Sequence, residues 1–375
     1  MSTSPEIPST MRALATSKHC KPDNYEIQTL PVPKIVRPED CLVRVHAAAS
    51  TAGEAQAAAG AFRYLMPTKF PWVLGMEGSG VVVAVGSGVK SLKVGDEVMG
   101  GRFTKPVFPN VYDGWIAEYA VAPESLLVRK PRNISFEDAA CLTGSTVTAY
   151  QCFKRGVVEL MRLPAGPGAS PLEGKTVFVP GALSATGGIG VQMAKNVFGA
   201  SKVISTVSTP KLPVVERHLG PGIVDQLIDY KTQDVAKEVG MGTVDFVYNT
   251  QWGLEGTFPL LKPKTGVVVS IASIPPPDVM RGTLGKMPLV VTVILTIVQW
   301  WYDWKTRGTN IQRLFVSGNP ACREDCEECV ELVARGKIKA VKTVVSFGDL
   351  TAMRSELSKV YSGKGGLGAL VVKIV

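Results

Sequence analysis

The sequence predicts a two-part α/β protein: a doubly wound parallel sheet joined to a smaller, barrel-like β domain. Three observations carry this. Residues 175–208 run strand, glycine-rich turn, amphipathic helix, strand, which is one βαβ unit. From about Gly144 onward, strands and helices alternate, as a parallel sheet covered on both faces requires. Before Cys141 the chain instead shows many short apolar strands punctuated by Gly and Pro, the pattern of a barrel.

The elements follow in chain order. Residues 1–10, rich in Ser, Thr and Pro, read as a loose tail. Leu42-Val43-Arg44-Val45-His46 alternates like a half-buried strand, and Gly80–Gly86 is a buried strand ended by glycine. Gly95-Asp96-Glu97-Val98-Met99-Gly100 reads as a turn entering a strand. The run Thr176-Val177-Phe178-Val179 enters the turn Gly181–Gly190. Ile189, Met193 and Val197 then recur on one helical face. Val244–Tyr248 and Gly266–Ile271 are further core strands, and Ala369–Val375 is a last strand returned to the first domain. The expected boundaries are therefore 11–141 with 335–375 for the β domain, and 142–334 for the parallel sheet.

The glycine turn implies a dinucleotide. Glycines let backbone N–H groups approach a phosphate, and a helix N-terminus adds partial positive charge. Ala185, Thr186, Gly187, Gly188 and Ile189 are the expected contacts. The end of the second strand selects among dinucleotides. An Asp or Glu there would hold a ribose 2′-OH. Ser208, Thr209 and Lys211 stand there instead, and hydroxyls with a cation suit a 2′-phosphate. NADPH is the expected cofactor.

Composition excludes several classes. With 375 residues, 45% hydrophobic and 19% charged, the chain is globular and long enough for two cores. Its net charge of +9 is scattered, with no basic run suited to nucleic acid. Seven cysteines at irregular spacing make a poor disulfide framework, so a reducing cytoplasm is expected. Residues 275–310 break the sheet pattern: a proline-rich start leads into Leu289–Val298 and then Trp300-Trp301-Tyr302-Asp303-Trp304-Lys305. The apolar run is too short for a transmembrane span. A helix covering the sheet, a substrate or the partner in a homodimer is expected, although tryptophans beside a lysine also suit a membrane interface. Cys322, Cys326 and Cys329 share iron–sulfur spacing, but at i, i+4 and i+7 they form an apolar helical stripe. Thr51 and Tyr64 can donate a hydrogen bond to a substrate carbonyl.

Taken together, Gly75-Met76-Glu77-Gly78-Ser79-Gly80, Val94-Gly95-Asp96-Glu97-Val98, Gly114–Tyr119, Gly144–Tyr150 and the NADPH unit resemble the medium-chain dehydrogenase/reductase superfamily. The likeness runs from about Met11 to Val375 and is to its zinc-free quinone oxidoreductase and enoyl reductase branch. The Ser184-Ala185-Thr186-Gly187 turn is similar to that of fungal reductases that serve polyketide pathways in trans. The resemblance implies a Rossmann domain and a GroES-like catalytic domain, with the nicotinamide in the cleft between them. It implies Thr146, Thr148, Thr250, Ile271 and Ala272 at the nicotinamide, and Lys211 and Tyr230 at the 2′-phosphate. The family's catalytic zinc positions match Thr51, Met76 and Gly144, which are not zinc ligands, so no metal is expected. The implied chemistry is hydride transfer from NADPH to an activated C=C of an enone, quinone or enoyl thioester. Two alternatives stay open: a binding or structural protein without turnover, and a non-redox rearrangement or cyclisation on the same fold.

Overall fold

A computed structural model of the protein describes residues 7–65, 68–102, 113–164 and 169–375. Most of the expected tail lies outside these residues. The chain divides into two compact units: the residues through Gly144 with Asn319–Ala334 and Lys342–Val375, and Ser145–Gly318 with Arg335–Val341.

The first unit begins with strands β1 (Thr10–Thr16), β2 (Glu26–Pro31), β3 (Asp40–Ser50), β4 (Trp72–Val73), β5 (Glu77–Val85), β6 (Glu97–Gly101), β7 (Tyr119–Pro123) and β8 (Leu127–Arg129). Helix α1 (Ala52–Ala58) interrupts them, and α2 (Phe136–Ala139) and α3 (Thr143–Lys154) lead onward. The long strand β3 is the hub. It pairs antiparallel with β5 and with β7, and its register shifts between Leu42 and Val43 and between Val45 and Ala47. Such bulges bend and twist a strand, which lets one sheet curl toward a barrel. Glycine is required where strands meet closely. A Cβ on Gly80 would lie 2.1 Å from the Arg44 carbonyl oxygen.

The second unit contains β9 (Thr176–Val179), β10 (Lys202–Val207), β11 (Gln226–Asp229), β12 (Phe246–Asn249), β13 (Val267–Ser270) and β14 (Gln312–Phe315). All pair in parallel, in the order β11-β10-β9-β12-β13-β14. This is the 3-2-1-4-5-6 order of a Rossmann sheet, with its switch point between β9 and β12. Helices α4 (Ala185–Gln192), α5 (Val215–Leu219), α6 (Val235–Val239), α7 (Pro277–Leu284) and α8 (Leu289–Lys305) belong to this unit. The core on one side of the sheet gathers Phe178, Ile204, Val247, Val268, Phe258 and Tyr302.

The chain returns to the first unit through α9 (Arg323–Ala334), β15 (Lys342–Ser346), α10 (Leu350–Ser362) and β16 (Ala369–Lys373). Strand β16 pairs antiparallel with β3, so the last strand closes onto the hub. Helix α9 packs in the first unit, whereas the sequence placed it in the second. The reason is local contact: Arg323 donates to the Leu127 carbonyl at 2.8 Å, and Asn133 donates to that of Ala334 at 2.9 Å. Its cysteines behave as packing. Cys326 and Cys329 are buried, and burial pushes the Cys326 thiol up to about 11.

Candidate functional site

The glycine turn lies at the switch point of the parallel sheet, where open α/β sheets bind ligands. Ser184 caps α4, its Oγ accepting the Gly187 N–H at 2.9 Å. Gly181 has φ of +80° and donates its N–H to Thr206 Oγ1 at 3.0 Å, which ties the turn to β10. A Cβ on Gly187 would stand 2.1 Å from the Gly181 oxygen, and one on Gly190 would stand 2.5 Å from the Tyr248 ring. The turn is therefore as tight as a close phosphate approach demands. The first-turn N–H groups of Ala185 and Thr186 have no acceptor within the helix. At the neighbouring strand end, Thr250 Oγ1 donates to the Pro180 carbonyl at 2.7 Å. Ile271 and Ala272 follow β13 and are half-buried. These residues fit a dinucleotide.

The end of β10 is more complex than the sequence suggested. Ser208 and Lys211 are half-buried, and burial lowers the Lys211 pKa. Tyr230 is exposed, with Lys231 Nζ 5.4 Å from its ring centre. However, Val207 pairs with Asp229 across β10 and β11, which sets a carboxylate beside the expected phosphate contacts. Thr209 Oγ1 donates to Asp229 at 2.6 Å. Its single proton is thus committed, and Thr209 cannot simultaneously donate it to a phosphate. The Thr209 bond, helped by the Lys231 N–H and Thr232 hydroxyl, holds Asp229 below the usual carboxylate range. Sequence reasoning missed Asp229 because it lies on the next strand, 20 residues beyond Thr209.

Thr146 is fully buried on α3, with a hydroxyl that has no hydrogen-bond partner among the described residues. Thr148 is half-buried and lies so close to Gly318 that a Cβ there would fall 2.0 Å from its Oγ1.

In the first unit, the three positions that match a catalytic zinc site carry other interactions. Thr51 caps α1, its Oγ1 accepting the Glu54 N–H at 3.3 Å. Met76 Sδ lies 3.8 Å from a guanidinium nitrogen of Arg102. Arg102 is itself buried and paired to Glu54 at 2.6 Å, while Glu54 also accepts from Ser50 Oγ and the Gly75 N–H. Gly144 offers only its N–H, which donates to Glu77 at 2.7 Å. These residues do not fit zinc: a cation already stands at the Met76 position, and none of the three matched positions offers a thiolate, imidazole or carboxylate. Among the described residues no three His, Cys, Asp or Glu cluster as a metal site.

Glu77 is the second group that sequence reasoning missed. It is buried, accepts one hydrogen bond at the head of α3, and burial raises its carboxyl to about 7. Tyr64 is almost fully exposed, and its oxygen accepts from Arg63 at 3.0 Å.

Comparisons agree with this architecture. Residues 37–132 match the alcohol dehydrogenase GroES-like domain family, and residues 224–352 match the zinc-binding dehydrogenase family. The chain is 33% identical over 276 residues to the 2-methylene-furan-3-one reductase of Solanum lycopersicum, covering 74% of this chain and 66% of that one. It is 34% identical over 229 residues to the chloroplastic NADPH-dependent alkenal/one oxidoreductase of Arabidopsis thaliana, covering 61% and 55%. The chain thus spans less than two thirds of the length of these relatives. The solved quinone oxidoreductase of Coxiella burnetii superposes with a TM-score of 0.74 at 21% identity, covering 98% of this chain and all of that one, which speaks for the fold. A GroES-like unit, a 3-2-1-4-5-6 sheet and these matches make the chain a member of the medium-chain dehydrogenase/reductase superfamily.

Proposed function

We propose that the chain is an NADPH-dependent, zinc-independent reductase of activated C=C bonds in enones, quinones or enoyl thioesters. The observation that carries this reading is the pairing of two features: a tight dinucleotide turn at the sheet's switch point, and an Arg102 cation beside Met76 at the matched zinc position. The relatives' names point the same way, toward an unsaturated furanone and alkenals or alkenones.

When bound, NADPH supplies a hydride. The chain's own residues bind and orient. In this reading the amides of Ala185 and Thr186 hold the pyrophosphate, and Gly187, Gly188 and Ile189 border it, the Gly187 and Gly188 N–H groups being held by Ser184. Lys211, Ser208 and Tyr230 read the 2′-phosphate, with Thr209 acting through Asp229. Thr146, Thr148, Thr250, Ile271 and Ala272 border the nicotinamide. The Thr51 hydroxyl donates to the substrate carbonyl, which draws electron density from the C=C bond and stabilises the enolate oxygen. The one proton that follows hydride transfer comes from Tyr64 or from water. The turn's likeness to trans-acting fungal reductases makes a carrier-bound polyketide one substrate class to test. None of the seven cysteines forms a disulfide among the described residues, which suits the reducing cytosol we propose for the protein.

The test is NADPH consumption against a panel of quinones, enones and enoyl thioesters. Turnover of at least one class, slower with NADH, is expected. NADPH binding without turnover of any class would instead favour a binding role or non-redox chemistry.

A further inference from the structure

Helix α8 has two apolar faces. Leu295 and Tyr302 are buried on the inner one, Val298 packs beside them, and Gln299 donates to the Ile274 carbonyl at 3.1 Å. The opposite face carries Leu289, Val290, Val293, Ile294, Ile297, Trp300, Trp301 and Trp304, all exposed. At about 100° per residue, these eight fall within an arc of about 140°. Trp300 is 68% exposed and Trp304 is 51% exposed. The three tryptophans alone present roughly 300 Å2, so the stripe exceeds the scattered apolar residues normal on a surface.

The charge around the stripe is mostly positive, with four cations against the exposed Asp278 and Asp303. Arg281 and Lys286 stand before α8, and Lys305 and Arg307 at and beyond its end, all exposed. None of the four is ion-paired to a carboxylate among the described residues. Lys305 lies 5.6 Å from the Trp301 ring and 5.3 Å from that of Trp304, and Arg307 lies 5.1 Å from the Trp304 ring. The helix has one acid, Asp303, and Arg313 binds it at 2.5 Å. Tryptophans beside cations, on a helix lying flat against a folded unit, match the chemistry of a lipid headgroup boundary. No helix among the described residues is long and apolar enough to cross a membrane. A second copy fits less well. Antiparallel α8 helices would set the Lys305 and Arg307 end of one copy against the Lys286 end of the other, like charge on like.

We propose that the outer face of α8 seats the protein on an anionic phospholipid surface, with the tryptophans in the interfacial region and the four cations on the headgroups. The inference stands independently of the reductase reading. Its test is flotation of the full chain with vesicles of phosphatidylcholine alone, or containing phosphatidylserine, together with tryptophan emission. Flotation with the anionic vesicles, a blue shift and release by salt are expected. Ile294→Asp with Ile297→Asp should weaken partitioning at least ten-fold. Lys305→Glu with Arg307→Glu should abolish the preference for anionic vesicles, each unit of charge removed accounting for about five-fold and each substitution removing two. Unchanged melting would show that both pairs still fold. Wild-type protein that floats with neither vesicle overturns the proposal, whatever the variants do. So does a dimer, seen by light scattering, that the aspartate pair splits without any vesicle binding. So does a variant whose only defect is a raised KM.

Discussion

Replacing Glu77 by Gln should stabilise the protein at alkaline pH and leave it nearly unchanged in acid. Glu77 is buried and accepts only the Gly144 N–H at 2.7 Å among the described residues, too little to compensate a carboxylate removed from water. Its carboxyl is therefore raised from 4.5 to about 7. The folded state holds this proton more tightly than the unfolded state. Stability is thus full below about pH 4.5 and is lost as pH rises through about 7. That difference in proton affinity corresponds to roughly 3 kcal/mol once the pH exceeds about 8. Gln keeps an oxygen to accept from Gly144 and carries no charge, so Glu77→Gln removes the loss. The assay is urea unfolding of both proteins from about pH 4.5 to about pH 8, with the difference between the two curves isolating this carboxyl. A gap in stability that opens with rising pH in favour of the variant is expected. Parallel curves, or a gap that opens in favour of the wild type, would refute the assignment of a buried, protonated Glu77.

Lys211→Ala should weaken NADPH about 10- to 100-fold and leave NADH nearly unchanged, by loss of a charge-assisted contact; calorimetric titration with each cofactor checks this, and equal loss for both would show that Lys211 does not read the 2′-phosphate. Removing one member of the buried Glu54–Arg102 pair, by Glu54→Gln or Arg102→Met, should cost about 3–5 kcal/mol because the other charge is left buried alone. The double variant should recover much of that in denaturant unfolding, a non-additivity that an exposed pair would not show. Elemental analysis of untagged protein should find far less than one zinc per chain, since Thr51, Met76 and Gly144 supply no thiolate, imidazole or carboxylate and Arg102 lies beside Met76; stoichiometric zinc that chelators remove with loss of activity would contradict this.

The parallel unit was readable because its signals are local. Strand, glycine turn and helix follow one another between Thr176 and Gln192, and both the turn glycines and the apolar face of α4 are adjacent in sequence. What escaped depends on contacts between distant residues. Glu77 sits in a quoted motif, yet nothing in Met76-Glu77-Gly78 says that the carboxylate points inward to Gly144, 67 residues on. Asp229 reaches Thr209 only because β10 and β11 pair Val207 with Asp229. The cysteine stripe of α9 was legible from its period, but its unit was not, because Arg323 finds Leu127 across 196 residues. Helix α8 carries two apolar faces, so its sequence announces burial without saying which of them the chain itself covers. Thr51 was recognisable as a hydroxyl at a matched position, while its role as the cap of α1 required the helix to be seen.

Isotope tracing tests the central claim most directly. NADPH deuterated at the transferable C4 position is supplied with an α,β-unsaturated ketone, and the product is examined by mass spectrometry and NMR. Hydride transfer to the C=C bond gives a saturated ketone with one deuterium on the former β-carbon, a solvent proton on the α-carbon and one cofactor oxidised per C=C bond. An allylic alcohol bearing deuterium on the carbonyl carbon, or a rearranged product with no deuterium and no cofactor consumed, would contradict it.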